Sequence, residues 1–117
     1  MAQILRSMFN GKVSQILLIV WAVALVYFSL IPDPGAPELF GGVDKVEHLM
    51  AYAVLSFLLM RTGWKGMGLI LSIGISFAFG TGLEILQYYH PPREASIGDV
   101  LSNGLGSAIG AYLGKRL

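Results

Sequence analysis

The chain has 117 residues, of which 55% are hydrophobic and 13% are charged, and its mean hydropathy is +0.67. A water-soluble domain of this size cannot bury so much apolar surface, so the composition predicts a membrane protein. The formal net charge is only +1, and no basic patch with interleaved aromatic residues occurs, which argues against nucleic-acid binding. Because the chain has no cysteine, disulfides, thiolate metal sites and a cysteine nucleophile are excluded.

Four apolar stretches follow one another along the chain and predict four transmembrane helices. They are Val13–Ile31, Val46–Met60, Met67–Tyr89 and Ile97–Leu113. The first supplies an uncharged run of about the 20 residues that a helix needs to cross the hydrocarbon core. The second is shorter, but its helix can begin at Asp44 or Lys45 and continue to Arg61. We therefore expect an all-α polytopic membrane protein, a compact bundle of four transmembrane helices forming a single domain over residues 1–117.

Basic residues predict the orientation of this bundle. Three segments carry only basic charges: Arg6 and Lys12, then Arg61 and Lys65, then Lys115 and Arg116. Such segments face the cytoplasm, so both termini should be cytoplasmic. The two other connections carry acidic as well as basic residues and should face outward. A cleaved signal peptide is the less favoured interpretation of the first stretch, because no small-x-small exit precedes Pro32.

The polar residues that interrupt the apolar stretches fall at the outward end of each predicted helix. They form three clusters: Asp44, Lys45 and His48; Glu84 and Gln87; and Arg93, Ser96, Asp99 and Asn103. Polar groups at membrane depth are costly and often functional. Since all three clusters lie at outward helix ends, we expect them to meet near the outer leaflet.

Small residues recur every four positions in the third and fourth stretches. The two rows are Gly68, Ser72, Ser76 and Gly80, and Gly98, Ser102, Gly106, Gly110 and Gly114. Rows of this kind let membrane helices approach closely. We expect the third and fourth helices to pack against each other, or one of them to pack across a dimer.

The residue types in the clusters are suited to proton transfer and to anion binding. Asp44 lies four residues before His48 and can orient the imidazole and raise its basicity. Glu84 lies one to two helical turns inside its helix end, where a short side chain reaches water less easily. Arg93 precedes a helix start, and the backbone N–H groups there favour a phosphate or carboxylate.

Three short motifs, in this order, resemble the VanZ-like family of membrane proteins. They are D-K-x-x-H at Asp44–His48, E-x-x-Q at Glu84–Gln87, and R-x-x-S-x-x-D-x-x-x-N from Arg93 to Asn103. The resemblance covers roughly Asp44 to the C-terminus. It implies a small multi-helix protein of the bacterial cytoplasmic membrane, in a family whose namesake is associated with teicoplanin resistance.

Two classes of function fit these residues. The first is a site facing the extracytoplasmic side that binds the head group of an anionic lipid or lipid-linked envelope precursor. Its expected ligand-binding residues are Asp44, Lys45, Gln87, Arg93, Ser96 and Asn103. The alternative is a membrane-embedded hydrolase or transferase acting on a lipid-linked substrate, with His48, Glu84 and Asp99 as catalytic candidates. Binding is preferred because no strong nucleophile or metal motif occurs, and catalysis stays open.

Other interpretations are less favoured. A metal site built from His48, Glu84 and one aspartate would have only one histidine, so neither a metal nor a cofactor is predicted. Four short helices leave little room for a transport path. A purely structural network would pair Arg93 with Glu84 or an aspartate, and Lys45 with Asp44. A homodimer or a membrane-protein partner stays open.

Overall fold

The computed structural model describes residues 1–30, 43–88 and 97–117, and of residues 43, 44, 87 and 88 it describes the backbone alone. Within these ranges the chain forms five α-helices and no strand, which confirms the all-α prediction. The helices are α1 (Ala2–Met8), α2 (Gly11–Leu30), α3 (Val43–Arg61), α4 (Leu69–Tyr88) and α5 (Ile97–Arg116). The four apolar stretches correspond to α2–α5, whereas the short α1 was not predicted.

Local signals set several helix boundaries. The Asn10 side chain accepts a hydrogen bond from the Val13 backbone N–H at 3.0 Å, which caps the start of α2. After α3 ends, the Thr62 hydroxyl donates to the Leu59 carbonyl at 2.8 Å. Gly63 then adopts a φ of 74°, a left-handed conformation that glycine takes readily. The chain therefore turns sharply between α3 and α4.

Helix α3 lies at the centre of the bundle and contacts α2, α4 and α5. Against α2, the Trp21 indole N–H donates to the Ala51 carbonyl at 2.9 Å, and the Gln15 amide donates to the Thr62 carbonyl at 2.8 Å. The Gln15 bond joins the beginning of α2 to the end of α3, and the Trp21 bond joins the middles of the two helices, so the helices are antiparallel. Buried leucines of α3 and Leu18 of α2 form the apolar core: Leu55, Leu58, Leu59 and Leu18, together with Tyr52.

The glycine row predicted in α5 packs against α3, whereas Gly104 of the same helix contacts Phe77 of α4. A Cβ atom at Gly106 would lie 2.9 Å from the Leu49 carbonyl carbon, and one at Gly110 would lie 2.5 Å from the Ala53 carbonyl carbon. Only a residue without a side chain permits so close an approach between two backbones. Helices α4 and α5 do pack together, as the small-residue rows predicted. The closest glycine contacts, however, belong to a different helix pair.

Two helices are long and apolar enough to cross a membrane: Gly11–Leu30, and the segment Leu69–Leu86 of α4. No other helix in the described part of the chain meets that criterion. Charged residues lower the hydropathy of α3, and both charged residues and glycines lower that of α5. The prediction of four spans therefore stays a prediction, and two of the four have support from length and composition.

Hydrogen bonds near the termini define one end of the bundle. The Arg6 guanidinium donates to the Leu117 carbonyl, and the Arg61 guanidinium donates to the Phe9 carbonyl at 3.3 Å. The ends of α3 and α5 and the beginning of α2 therefore lie together, and we call this the basic end. The opposite end, which we call the polar end, holds the beginnings of α3 and α5 and the end of α4.

Candidate functional site

Side chains from three helices meet at the polar end. Lys45 and His48 come from α3, Glu84 from α4, and Asp99 and Asn103 from α5. These residues belong to all three clusters that the sequence placed at outward helix ends. Helix α3 packs antiparallel to α4 and parallel to α5, which brings these residues together because each lies near the same end of the bundle.

His48 lies at the centre of this group. Its Nδ1 atom is 3.0 Å from Asn103 Oδ1 and 3.7 Å from Glu84 Oε1, while its Nε2 atom is 3.9 Å from Asp99 Oδ2. An amide oxygen can only accept, so Nδ1 carries the hydrogen and donates it to Asn103. In the neutral ring, Nε2 then has the lone pair and faces a carboxylate.

Lys45 contacts a carboxylate from another helix. Its ammonium lies 3.6 Å from Asp99 Oδ1, and the Lys45 side chain is 47% exposed whereas that of Asp99 is 9% exposed. The sequence had offered Asp44 as the partner of Lys45 in a structural network. Its side chain lies outside the described atoms, and the contact with Asp99 crosses from α3 to α5. This contact joins the beginnings of the two helices.

The carboxylates are well buried. Glu84 is 4% exposed and Asp99 is 6% exposed, and the Asn103 side chain is fully buried. Burying a carboxylate is costly unless a cation or hydrogen bonds offset the loss of solvation. Among the described residues of this cluster, two carboxylates face one ammonium, from Lys45, and one imidazole. Lys45 and His48 are therefore two of the groups that stabilise the buried carboxylates.

A layer of hydrogen bonds supports the cluster one helical turn deeper. The Ser107 hydroxyl donates to the Asn103 carbonyl at 2.7 Å, and its oxygen lies 2.7 Å from the Ser76 hydroxyl of α4. The Tyr52 ring stacks on His48 with centroids 6.4 Å apart. A Cβ atom at Gly80 would lie 2.8 Å from Asn103 Nδ2 and 2.9 Å from Tyr52 Cε1. The missing side chain at Gly80 thus leaves room for both residues.

Sequence reasoning missed this support layer. Ser76 and Gly80 were interpreted only as small residues for helix packing, and Ser107 was not singled out. Their spacing was the available signal, since Ser76 and Gly80 lie eight and four residues before Glu84 on one helix face. Which neighbouring helix that face would meet was not readable from the spacing.

A cleft opens beside His48 between α2 and α3. Its volume is about 120 Å³, and both apolar and polar side chains line it. The lining residues are Leu25, Phe28, Ser29, Glu47, His48, Ala51 and Tyr52. The His48 side chain is 25% exposed, so the cleft gives the buried cluster a route to the surface.

The remaining predicted site residues cannot be placed. Arg93 and Ser96 lie outside the described residues, and the side chains of Asp44 and Gln87 lie outside the described atoms. Their expected roles in ligand binding stay predictions. The same holds for the catalytic roles of His48, Glu84 and Asp99, because proximity alone does not establish a reaction.

Comparison with known proteins identifies a family. The sequence model of the family described as VanZ/LLP1 matches residues 3–117, a range that includes all five helices apart from the first residue of α1. No curated protein and no solved structure matches the chain.

Proposed function

The chain belongs to the VanZ/LLP1 family, and on this premise we propose a function in the bacterial cell envelope. It is a multi-pass protein of the cytoplasmic membrane that binds the head group of an anionic lipid or lipid-linked envelope precursor. The observation that carries the proposal is the convergence of Lys45, His48, Glu84 and Asp99 from three helices beside an amphipathic cleft.

Helix length and packing support four spans. The four long helices have 19 or 20 residues, or about 30 Å at 1.5 Å per residue, which matches the hydrocarbon core. Helix α3 packs against the two apolar helices α2 and α4 and against α5. Large apolar side chains on the outside of α2, including Ile19, Val20 and Val23, are more than half exposed. Lipid is the solvent that suits such a surface.

Charge supports an orientation with both termini in the cytoplasm. The basic end contains only Lys and Arg among its charged side chains: Arg6, Lys12, Arg61, Lys65, Lys115 and Arg116. The positive-inside rule assigns this end to the cytoplasm. The polar end then faces the extracytoplasmic leaflet, where envelope precursors carry their head groups.

The depth of the cluster suits a head group. His48 and Glu84 lie four or five residues inside the ends of α3 and α4, or about 6–8 Å at 1.5 Å per residue. Lys45 is half exposed and can contact a phosphate at the rim of the site. The apolar side chains that line the cleft are those of Leu25, Phe28 and Ala51. They are suited to contact the first methylene groups of the lipid.

One observation favours catalysis as the second candidate. Asn103 holds His48 Nδ1 at 3.0 Å, and in the neutral ring the lone pair on Nε2 is then available to accept a proton. A membrane-embedded hydrolase or transferase would use His48 as general base, with Glu84 and Asp99 stabilising the imidazolium that forms.

We also propose that binding of this precursor connects the protein to glycopeptide resistance, which the family resemblance implies.

Native mass spectrometry of the protein extracted with its own lipids tests the proposal. Lys45→Gln removes the ammonium at the rim, and Lys65→Gln removes the same charge from the exposed loop at the basic end. We expect wild type and Lys65→Gln to retain one defined anionic lipid. Lys45→Gln should retain at least about 10-fold less of it, because a hydrogen bond to a charged group contributes roughly 1.5–3 kcal/mol.

Two outcomes would overturn the proposal: no lipid selectively retained by wild type, or equal losses in the two lysine variants. Arg93→Ala tests in the same way the guanidinium of Arg93, which the sequence analysis expects to bind the head group. Incubating the retained lipid with wild type and with His48→Gln then separates binding from catalysis. Release of a head group by wild type alone would establish turnover.

A further inference from the structure

We propose that His48, Glu84 and Asp99 bind one divalent cation between α3, α4 and α5. Each residue offers one ligand atom, and these atoms all lie within 4.8 Å of one another. The three ligands come from three different helices, and both carboxylates are buried. The sequence predicted no metal because such a site would hold only one histidine and its acids are scattered along the chain, whereas the fold brings these acids to His48.

The hydrogen bond from His48 to Asn103 prepares the ring for a metal. Since Asn103 Oδ1 can only accept, Nδ1 carries the hydrogen and Nε2 presents a lone pair. That lone pair faces Asp99 Oδ2 across 3.9 Å, which is too long for a hydrogen bond. A cation between these two electron-rich atoms would be attracted by both. Histidine ligands of metals characteristically donate their other ring N–H to such an oxygen acceptor.

The distances fit a shared ion with little adjustment. Imidazole nitrogen and carboxylate oxygen bind a divalent ion at about 2.0–2.2 Å, so two ligands of one ion lie at most about 4.4 Å apart. The separation of 3.9 Å between His48 Nε2 and Asp99 Oδ2 is already within this limit. The ligand atoms of the three residues lie within 4.8 Å of one another. Glu84 Oε1 lies 3.7 Å from Nδ1, so the Glu84 side chain must turn toward Nε2 to share the ion.

A divalent ion would place positive charge between two buried carboxylates. Glu84 is 4% exposed and Asp99 is 6% exposed. An ion bound by both carboxylates would lower the cost of burying them. The same ion would present a positive charge to the phosphate of a head group, a part of the inference that rests on the proposed function.

The donor set indicates the class of ion. One imidazole nitrogen with two carboxylate oxygens suits a borderline or hard divalent ion such as Zn²⁺ or Mn²⁺, and the chain offers no thiolate for softer metals. His48 lines the cleft between α2 and α3, and its side chain is 25% exposed. An ion can therefore reach the cluster from the polar end.

Electron paramagnetic resonance of bound Mn²⁺ tests this site directly. Metal-free protein in detergent is titrated with MnCl₂, and electron spin echo modulation reports whether a ¹⁴N nucleus is coordinated. We expect one Mn²⁺ per chain with ¹⁴N modulation from His48. His48→Gln should remove that modulation, and Glu84→Gln and Asp99→Asn should each weaken Mn²⁺ binding at least 10-fold, since even outer-shell changes cost about 10–100-fold. Glu47→Gln is the matched control, because Glu47 is an exposed acid adjacent to His48 in sequence.

Several results would overturn the inference. They are a wild-type protein that binds no Mn²⁺ at millimolar concentration, bound Mn²⁺ without ¹⁴N modulation, and an equal loss of binding in Glu47→Gln. The wild-type spectrum tests the metal site even if a ligand variant fails to fold.

Lipid retention measured with and without EDTA separates the metal-site proposal from the head-group proposal. Lipid retained by a protein that binds no metal contradicts only the metal site, whereas metal bound without any selective lipid contradicts only the head-group site.

Discussion

Substitution of Gly110 by alanine should separate α3 from α5. A Cβ atom at this position would lie 2.5 Å from the Ala53 carbonyl carbon and closer still to the Ala53 oxygen and Ser56 Oγ. Non-bonded carbon atoms normally lie about 3.5–4.0 Å apart, so the backbones must move apart by roughly 1 Å. The obstacle is main chain, which a rotamer change cannot relieve.

We expect Gly110→Ala to lower the free energy of unfolding by about 3 kcal/mol, the upper end of the cost of overpacking a core. Gly74→Ala is the matched control. A Cβ atom at Gly74 meets no atom of the described chain within 4 Å, and alanine in a helix interior is favoured over glycine by up to about 1 kcal/mol. The two variants make the same chemical change and should shift stability in opposite directions.

Equilibrium unfolding in mixed detergent micelles, followed by circular dichroism, measures both variants against wild type. Because the α3–α5 contact also sets the position of His48 relative to Asp99, Gly110→Ala should weaken Mn²⁺ binding as well. Equal stability of the two variants would show that α5 does not approach α3 as closely as the structure indicates, and the reasoning from glycine packing would be refuted.

Four further predictions concern α2, the site and the membrane. Trp21→Phe should destabilise the protein by about 0.5–1.5 kcal/mol through loss of the indole hydrogen bond to α3, whereas Trp64→Phe, at a residue 44% exposed, should leave the unfolding midpoint unchanged. Asn103→Ala removes the acceptor of the His48 N–H and should weaken Mn²⁺ binding about 10–100-fold; unchanged affinity would contradict the assigned tautomer. Because the chain has no cysteine, Gly35→Cys should react with an impermeant maleimide on intact cells and Lys65→Cys only after permeabilisation; the reverse pattern would invert the orientation. Expression in a susceptible bacterium should raise the teicoplanin concentration that inhibits growth, and equal inhibition of cells with and without the protein would remove the link to resistance.

The helices of this protein could be predicted well from the sequence because their signals are local. An apolar run of about 20 residues such as α2 has few alternatives to a helix. Polar residues at helix ends, such as His48, Glu84 and Asp99, could likewise be singled out, since each interrupts an apolar segment. The short α1 was missed because Ala2–Met8 is too short to show a reliable period.

The partners of the site residues could not be predicted in the same way. Asn103 was expected to contribute a neutral hydrogen bond to a ligand, yet it holds the His48 ring. Lys45 contacts Asp99 of α5, whereas the sequence offered the adjacent Asp44. Sequence spacing relates residues on one helix, but these contacts join different helices.

The sequence by itself determined that the chain is apolar and helical, and which polar residues lie near the helix ends. Apolar length and charge decide those properties residue by residue, without reference to neighbouring helices. The tertiary structure alone decided that the glycine row of α5 faces α3 and that one histidine lies between two carboxylates. Apolar residues surround α2 on nearly all sides, so no amphipathic stripe marks its packing face. Close packing and buried hydrogen bonds select that face, and they exist only once the helices have met.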